Sequence, residues 1–203
     1  MSKRRINKVA VVGSGIMGSA IACHFANIGV EVLLLDIIPR ELTDKETAKG
    51  LTLEDKEVRN RLVNQALASS IKSKPAPLYN SAFAKRITTG NLEDDIAKVA
   101  QVDWIIEVVI ERLDIKQKVF ENLEKHRTPG TLITSNTSGI PIGFMSEGRS
   151  EDFQAHFCGT HFFNPPRYMR LLEIVPCRET DPAVASDMAA FISRRLGKGI
   201  VHA

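Results

Sequence analysis

Two ionisable residues stand inside apolar segments, where hydrophobic patterning alone would not place them. His161 lies within residues 157–163, and Glu173 lies within residues 171–175. A carboxylate removed from water costs free energy unless it is paired, so a hydrogen bond between Glu173 and His161 explains both residues at once. Such a pair would hold the imidazole in one tautomer and make His161 a general base. Taken alone, a histidine in an apolar strand is more often a satisfied core residue.

A glycine-rich motif predicts a binding site for the phosphates of a dinucleotide. Gly13, Gly15 and Gly18 follow a β-branched apolar run and open a segment with helical periodicity. In this context the first glycine permits a tight turn, the second lets the backbone approach the pyrophosphate, and the third allows the helix to pack closely on the strand. The positive end of the helix favours the anionic phosphates. The alternative interpretation is a glycine turn without a ligand.

Asp36 stands at the end of the second predicted strand, 18 residues after Gly18. A carboxylate at this place can accept hydrogen bonds from both hydroxyls of the adenosine ribose, which favours NAD as the cofactor. A 2′-phosphate would meet the same negative charge, and Arg40 is the one nearby residue that would favour NADP. The alternative for Asp36 is a strand-end turn or a helix cap.

Ser138 follows the fifth predicted strand, where ligands bind in doubly wound folds. Its alternative interpretation is a cap for a helix that begins before Ile140.

The elements that must position these residues alternate between strand and helix. Strands are predicted over residues 8–12, 30–35, 86–89, 104–109 and 132–135, with helices over 16–28, 54–71 and 115–125. This order predicts a Rossmann-type, doubly wound, mainly parallel sheet with helices on both faces. Residues of about 40–85 read as a helical insertion after strand two.

The C-terminal part of the sequence departs from the alternation of strand and helix. The runs 157–163 and 171–175 predict an antiparallel hairpin with a short loop. A helix follows over residues 182–196, and another strand begins at Gly199.

Composition excludes several classes of protein. With 203 residues, 43% of them hydrophobic and 25% charged, the chain is typical of one globular domain. The formal charge of +3 comes from scattered residues, which argues against nucleic acid. The three cysteines lack ligand spacing, so neither a metal site nor a disulfide framework is expected, and a cytoplasmic location is the default. No segment approaches the ~20 apolar residues of a membrane span.

Five ordered blocks carry a resemblance to a known family. Residues 13–18, 107–116, 135–138, 161–165 and 172–176 together resemble the NAD-binding domain of 3-hydroxyacyl-CoA dehydrogenases, over nearly the whole chain. The long segment between Asp36 and Arg86 is most similar to the large bacterial fatty-acid oxidation protein, which joins this dehydrogenase to an enoyl-CoA hydratase.

The resemblance implies roles for individual residues. His161 matches the catalytic base, Glu173 matches its carboxylate partner, and Ser138 matches a residue that touches the substrate oxygen. Positions that match contacts to NAD are Gly13, Gly15, Ile16, Met17, Gly18, Asp36, Val109, Ile110, Glu111, Lys116, Ser138 and Asn164. Candidates for contacts to coenzyme A are Ser69, Ser70, Lys72 and Lys74.

The implied reaction is the reversible NAD-dependent oxidation of a (3S)-3-hydroxyacyl-CoA to a 3-oxoacyl-CoA in fatty-acid β-oxidation. The resemblance also implies that the family's all-helical second domain is absent from residues 1–203, and that the fragment alone is a poor catalyst. The parent protein is expected to be a homodimer or part of a β-oxidation complex with a thiolase. Two alternatives stay open. One is a β-hydroxyacid dehydrogenase of the 6-phosphogluconate type, and the other is a non-catalytic NAD-binding relative.

Overall fold

Hydrophobic runs that are buried on both faces form the centre of one mixed sheet. The computed structural model describes residues 4–203. The strands are β1 (Lys8–Val12), β2 (Glu31–Asp36), β3 (Ile87–Asn91), β4 (Trp104–Glu107), β5 (Leu132–Ser135), β6 (Phe157–Phe162), β7 (Leu171–Pro176) and β8 (Gly199–His202). All four residues of β4 and of β5 are buried, as parallel strands covered on both faces must be.

The strand order is β3-β2-β1-β4-β5-β6-β7-β8. Strands β1 to β6 are parallel, β7 pairs with β6 in the antiparallel direction, and β8 pairs with β7 in parallel. The first six strands therefore have the order of a doubly wound dinucleotide-binding fold, which confirms the predicted fold class. In such a sheet the order reverses at β1, and ligands bind at the carboxyl ends of the strands beside that point.

Helices cover both faces of the sheet. They are α1 (Ile16–Asn27), α2 (Asp44–Ala48), α3 (Lys56–Arg59), α4 (Arg61–Ile71), α5 (Leu113–His126), α6 (Gly143–Ser146), α7 (Glu151–Ala155) and α8 (Pro182–Leu196), with 3-10 helices at Ser81–Arg86 and Ile96–Gln101. On one face the Trp104 ring packs in an edge-to-face arrangement with both Phe25 of α1 and Phe191 of α8. On the other face Phe120 of α5 packs against Phe153 and Phe157. Two cores thus fix the sheet between the helices.

Two local predictions are wrong. The helix predicted over residues 54–71 is interrupted between α3 and α4 at Asn60, whose buried side chain accepts a hydrogen bond of 2.9 Å from the Asn91 amide at the end of β3. The hairpin loop is also longer than predicted, because it comprises residues 163–170. Both deviations arise from contacts between segments that lie far apart in the chain.

Within residues 4–203, no helix combines the length and apolarity that crossing a bilayer requires.

Candidate active site

The loop between β1 and α1 is shaped by glycines with different steric roles. Gly13 has a φ of +101°, and a Cβ atom there would lie 2.6 Å from the carbonyl oxygen of Val108. A Cβ atom at Gly18 would lie 1.8 Å from the carbonyl oxygen of Gly13, so only glycine lets α1 pack this closely on the loop. At Gly15 a Cβ atom would meet nothing within 4 Å. The backbone there is open to an approaching ligand.

The first turn of α1 supplies donors for such a ligand. No side chain caps the helix at Gly15, and Ile16 is 81% exposed. The backbone N–H groups of a helix's first turn have no partner within the helix, and the helix dipole makes this end positive. An open glycine backbone next to an uncapped helix N-terminus therefore fits the pyrophosphate of a dinucleotide.

Asp36 lies beside this loop at the end of β2. One carboxylate oxygen, Oδ2, accepts a hydrogen bond of 2.7 Å from the Ser14 backbone N–H and another from the Ser14 hydroxyl. The other, Oδ1, accepts a hydrogen bond of 2.7 Å from Ile37 N–H. A cavity of about 480 Å³ begins at the next residue and is lined in part by Ile37, Arg40 and Leu53. The carboxylate therefore holds the glycine loop in place, as its strand-end alternative implies. A contact between Asp36 and the ribose of NAD stays a prediction.

A buried ion pair supports the segment that follows β4. Lys116 of α5 is 1% exposed, and its Nζ atom lies 2.7 Å from Oε1 of the fully buried Glu107. The same Glu107 accepts hydrogen bonds of 2.6 Å from Val109 N–H and 2.5 Å from the Ser135 hydroxyl. Burial raises the pKa of the Glu107 carboxyl, and the Lys116 ammonium opposes that rise. Lys116 is turned inward in this structure, so a direct contact between Lys116 and NAD stays a prediction.

Glu111 connects the loops after β4 and β5. It accepts hydrogen bonds from the Thr137 hydroxyl, from Ser138 N–H at 3.2 Å and from Gly139 N–H at 3.0 Å. Its other oxygen lies 3.3 Å from Lys116 Nζ. Burial alone would raise the pKa of Glu111, but the hydrogen bonds from Thr137 and Gly139 and the Lys116 charge outweigh it and lower the pKa.

Ser138 is exposed and begins no helix, since α6 begins only at Gly143. The turn is instead capped by Thr137, whose hydroxyl oxygen accepts a hydrogen bond of 3.2 Å from Ile140 N–H. Among residues 4–203 the Ser138 hydroxyl has no hydrogen-bond partner. The alternative interpretation of Ser138 as a helix cap is therefore wrong.

His161 and Glu173 face each other in the β6–β7 ladder. The His161 Nδ1 atom lies 2.8 Å from Glu173 Oε2, as the sequence predicts, and the two side chains are 23% and 32% exposed. The Phe163 ring packs on the imidazole with its centroid at 4.5 Å. Because Glu173 uses Nδ1, the other ring nitrogen, Nε2, is the one that can exchange a proton with a substrate.

The sheet register brings these residues to one edge. Val12, Glu107, Ser135 and Gly159 lie in one row across β1, β4, β5 and β6. His161 lies two residues further along β6, and Phe162 N–H is tied to Asn136 Oδ1 at 2.9 Å. Since β6 is three strands from β1, His161 stands roughly 14 Å from the glycine loop. The exposed Ile110 and Asn164 also lie on this side, after β4 and β6.

A cavity of about 550 Å³ opens between the glycine loop, the end of α4 with the loop that follows it, and the β6–β7 loop. Its floor is formed by residues of the motif and α1, including Gly15 and Ile16. Its walls include Ser69, Ser70, Ser73 and Lys74 on one side, and Asn164, Pro165, Pro166, Arg167 and Tyr168 on the other. Three of the four candidates for coenzyme A contacts thus line it, and Lys72 does not.

Sequence reasoning missed three residues of this region. Glu107 was recognisable only as part of a motif, although its charged side chain at the end of an apolar strand was a signal. Arg167 and Tyr168 carry no sequence signal beyond their place in a hairpin loop, because their partners lie about 90 residues away in the chain.

The fold is that of an NAD-binding domain of the Rossmann type. The chain belongs to the family described as "3-hydroxyacyl-CoA dehydrogenase, NAD binding domain", whose model matches residues 8–203. It is 56% identical over 200 residues to a probable 3-hydroxyacyl-CoA dehydrogenase of Bacillus subtilis, and the match covers 98% of this chain and 25% of that protein. It is 46% identical to a probable 3-hydroxyacyl-CoA dehydrogenase of Deinococcus radiodurans, over 98% of this chain and 54% of that protein.

A solved structure supports the same relationship. The crystal structure of 3-hydroxybutyryl-CoA dehydrogenase from Escherichia coli superposes with a TM-score of 0.71 at 28% sequence identity. The match covers 98% of this chain and 38% of that one. The chain therefore spans between a quarter and about half of the length of the relatives named here.

Proposed function

We propose that residues 1–203 form the cofactor half and carry the general base of an enzyme that oxidises (3S)-3-hydroxyacyl-CoA to 3-oxoacyl-CoA. The observation that carries the proposal is the hydrogen-bonded His161–Glu173 pair, at the same sheet edge as an open glycine loop. The relatives from Bacillus subtilis and Deinococcus radiodurans are each named as a probable 3-hydroxyacyl-CoA dehydrogenase, which agrees with it. The β-oxidation of fatty acids is the setting in which such a reaction is used.

In this proposal the chain holds NAD along the carboxyl edge of the sheet. Gly13, Gly15 and Gly18 shape the phosphate site at the start of α1, and Asp36 faces the adenosine ribose. The half-buried or exposed side chains along the edge contact the rest of the cofactor; these are Ile16, Met17, Val109, Ile110, Glu111, Ser138 and Asn164. Lys116 positions Glu111 and the Val109 carbonyl, each of which lies 3.3 Å from its Nζ atom.

The chain's own groups then move one proton. His161 takes the proton of the substrate hydroxyl on Nε2, while Glu173 accepts the hydrogen bond from Nδ1 and keeps the ring in the required tautomer. The Ser138 hydroxyl donates a hydrogen bond to the same substrate oxygen. Bound NAD would accept the hydride that leaves C3. A positioned general base of this kind contributes a factor of ~10² to 10⁴ in rate.

The cavity of about 550 Å³ suits the thioester arm of a coenzyme A substrate. Ser69, Ser70 and Lys74 offer hydroxyl donors and a positive charge along one wall. Lys72 lies on the same segment, just after α4, and in this proposal it contacts the nucleotide end of coenzyme A.

Further proposals concern the domains, partners and location of the full-length protein. The relatives are two to four times longer than this chain, which supports an all-helical second domain outside residues 1–203. We also propose a multifunctional parent that carries a hydratase. We propose further that the parent protein is a homodimer or part of a β-oxidation complex with a thiolase. The three cysteines are free in the structure, which supports a reducing, cytoplasmic setting.

The proposal is tested by the substrate-dependent oxidation of NADH. The full-length protein should oxidise NADH when acetoacetyl-CoA is added, and free acetoacetate at equal concentration should give little turnover, because the thioester arm supplies binding energy. If acetoacetyl-CoA causes no oxidation of NADH by a protein that binds NADH, the proposed activity is wrong.

A further inference from the structure

Arg167 joins the two loops that form the walls of the 550 Å³ cavity. Its Nη1 group donates hydrogen bonds to the carbonyl oxygens of Ala76 at 2.6 Å and Leu78 at 3.0 Å. Its guanidinium carbon lies 4.0 Å from the centroid of the Tyr79 ring and 4.9 Å from that of Tyr168. One side chain of the β6–β7 loop is thus bound to both the backbone and the aromatic surface of the segment before β3.

Two further side chains, Tyr168 and Lys198, hold the same loop. The Tyr168 hydroxyl donates a second hydrogen bond to the Ala76 carbonyl at 3.0 Å. Behind the loop, the buried Lys198 ammonium donates to the Met169 carbonyl at 2.6 Å and to the Pro166 carbonyl. The loop is therefore fastened to the segment at residues 76–79 on one side and to the start of β8 on the other.

We propose that Arg167 is a positioning residue that clasps these two loops, and that the clasp sets the width of the cavity for the thioester arm of the substrate. The inference rests on the proposed function. The clasp consists of Arg167 and Tyr168 with the carbonyls of Ala76 and Leu78. Both hydrogens of Nη1 are used within it and aromatic rings flank the guanidinium, so Arg167 acts through the wall.

The kinetic test uses Arg167→Ala in the full-length protein. The KM for acetoacetyl-CoA should rise ~10-fold or more, because paired charge-assisted hydrogen bonds are lost from the wall. The kcat at saturating substrate should change less than ~3-fold, since Arg167 contacts neither His161 nor the glycine loop. An unchanged KM would overturn the proposal.

Two variants separate a clasp from other roles. Arg167→Lys keeps the charge but loses the planar fork and the stacking, so it should behave like Arg167→Ala. Wild-type KM in Arg167→Lys would mean that only the charge matters, which contradicts the clasp. The matched control is Arg195→Ala, which removes an arginine that donates to the Ile28 carbonyl at 3.2 Å and lies over Phe191, away from the cavity. It should leave KM unchanged.

Amide hydrogen exchange tests the clasp independently of the substrate. Arg167→Ala should speed exchange in both residues 74–79 and residues 163–170, and the milder Tyr168→Phe should do so to a smaller extent. Faster exchange in only one of the two loops, or in neither, would contradict the clasp. If the wild-type protein does not act on acyl-CoA, the proposed function fails, whereas the exchange result still decides whether the clasp exists.

Discussion

At the scale of single residues, the site depends on charges that the fold holds in place. Strand pairing places Glu173 directly opposite His161, so the imidazole and the carboxylate are already within hydrogen-bond distance. Asp36 is fixed by two donors from Ser14 and one from Ile37. Each carboxylate is thereby oriented before a ligand arrives, which reduces the cost of ordering the site.

The Asp36 carboxylate should determine the choice of cofactor. We expect NAD to bind more tightly than NADP by at least ~1.4 kcal/mol, a factor of ~10, because a 2′-phosphate would be repelled by the Asp36 charge. Asp36→Asn should reduce this preference while keeping an acceptor for Ser14 N–H. Calorimetric titration of both cofactors measures the ratio.

The control for this change is Asp44→Asn, which removes an exposed acidic residue from the first turn of α2. It should leave the ratio as in the wild-type protein. Equal affinities for NAD and NADP in the wild-type protein would refute the role of Asp36.

At the scale of elements, a buried ion pair joins strand β4 to helix α5. The carboxylate of Glu107 and the ammonium of Lys116 are 0% and 1% exposed, and their neighbours supply further hydrogen bonds. A charge buried in this way is tolerated only while its partner is present. The pair holds the Val109–Glu111 segment, which lies against Gly13 through Val108.

Removing one partner of this pair should destabilise the fold strongly. Lys116→Met should lower the free energy of unfolding by ~3–5 kcal/mol, because Glu107 would stay buried without a counter-charge. The double variant Glu107→Gln with Lys116→Met should recover part of this loss, since no unpaired charge remains. Denaturation in urea measures both values, and Lys125→Met, on the exposed side of α5, is the control. A double variant less stable than Lys116→Met would contradict the argument.

Elements could be predicted from the sequence where their cause is local. The β-branched runs of β1 and β4 and the glycine that ends α8 are local signals, and the structure confirms their elements. The break at Asn60 could not be predicted, because its cause is a hydrogen bond to Asn91 across the fold. The 163–170 loop is longer than predicted for a comparable reason, since it is held by Arg167 and Lys198.

At the scale of the whole molecule, the candidate site residues lie along one edge of the sheet. The alternation of strands and helices predicts that this edge holds the cofactor, and the register then places His161 on the same side. The pairing of His161 with Glu173 could be predicted because both residues violate the hydrophobic pattern. The cavity between the α4 and β6–β7 loops could not, because its walls come from segments about 90 residues apart.

Residues 1–203 alone should bind NAD and catalyse poorly. The glycine loop, Asp36 and the Glu111 network are complete within the described residues, so the affinity for NAD should be close to that of the full-length protein. The thioester cavity is open, and positioning of reactants is worth effective molarities of ~10⁵–10⁸ M. Turnover of acetoacetyl-CoA should therefore be ~10³-fold or more below that of the full-length protein. Turnover close to that of the full-length protein would show that residues 1–203 already contain the complete substrate site.

The central claim is that His161 and Glu173 work as one catalytic unit, and a double-mutant cycle tests it most directly. His161→Ala, Glu173→Gln and the double variant are compared in the full-length protein by acetoacetyl-CoA-dependent oxidation of NADH, with the Kd for NAD as the control for folding. Each single change should lower kcat by ~10²-fold or more. The double variant should lose far less than the product of the two, because residues that act together are not additive. Independent, multiplicative losses, or full activity in either single variant, would contradict the account.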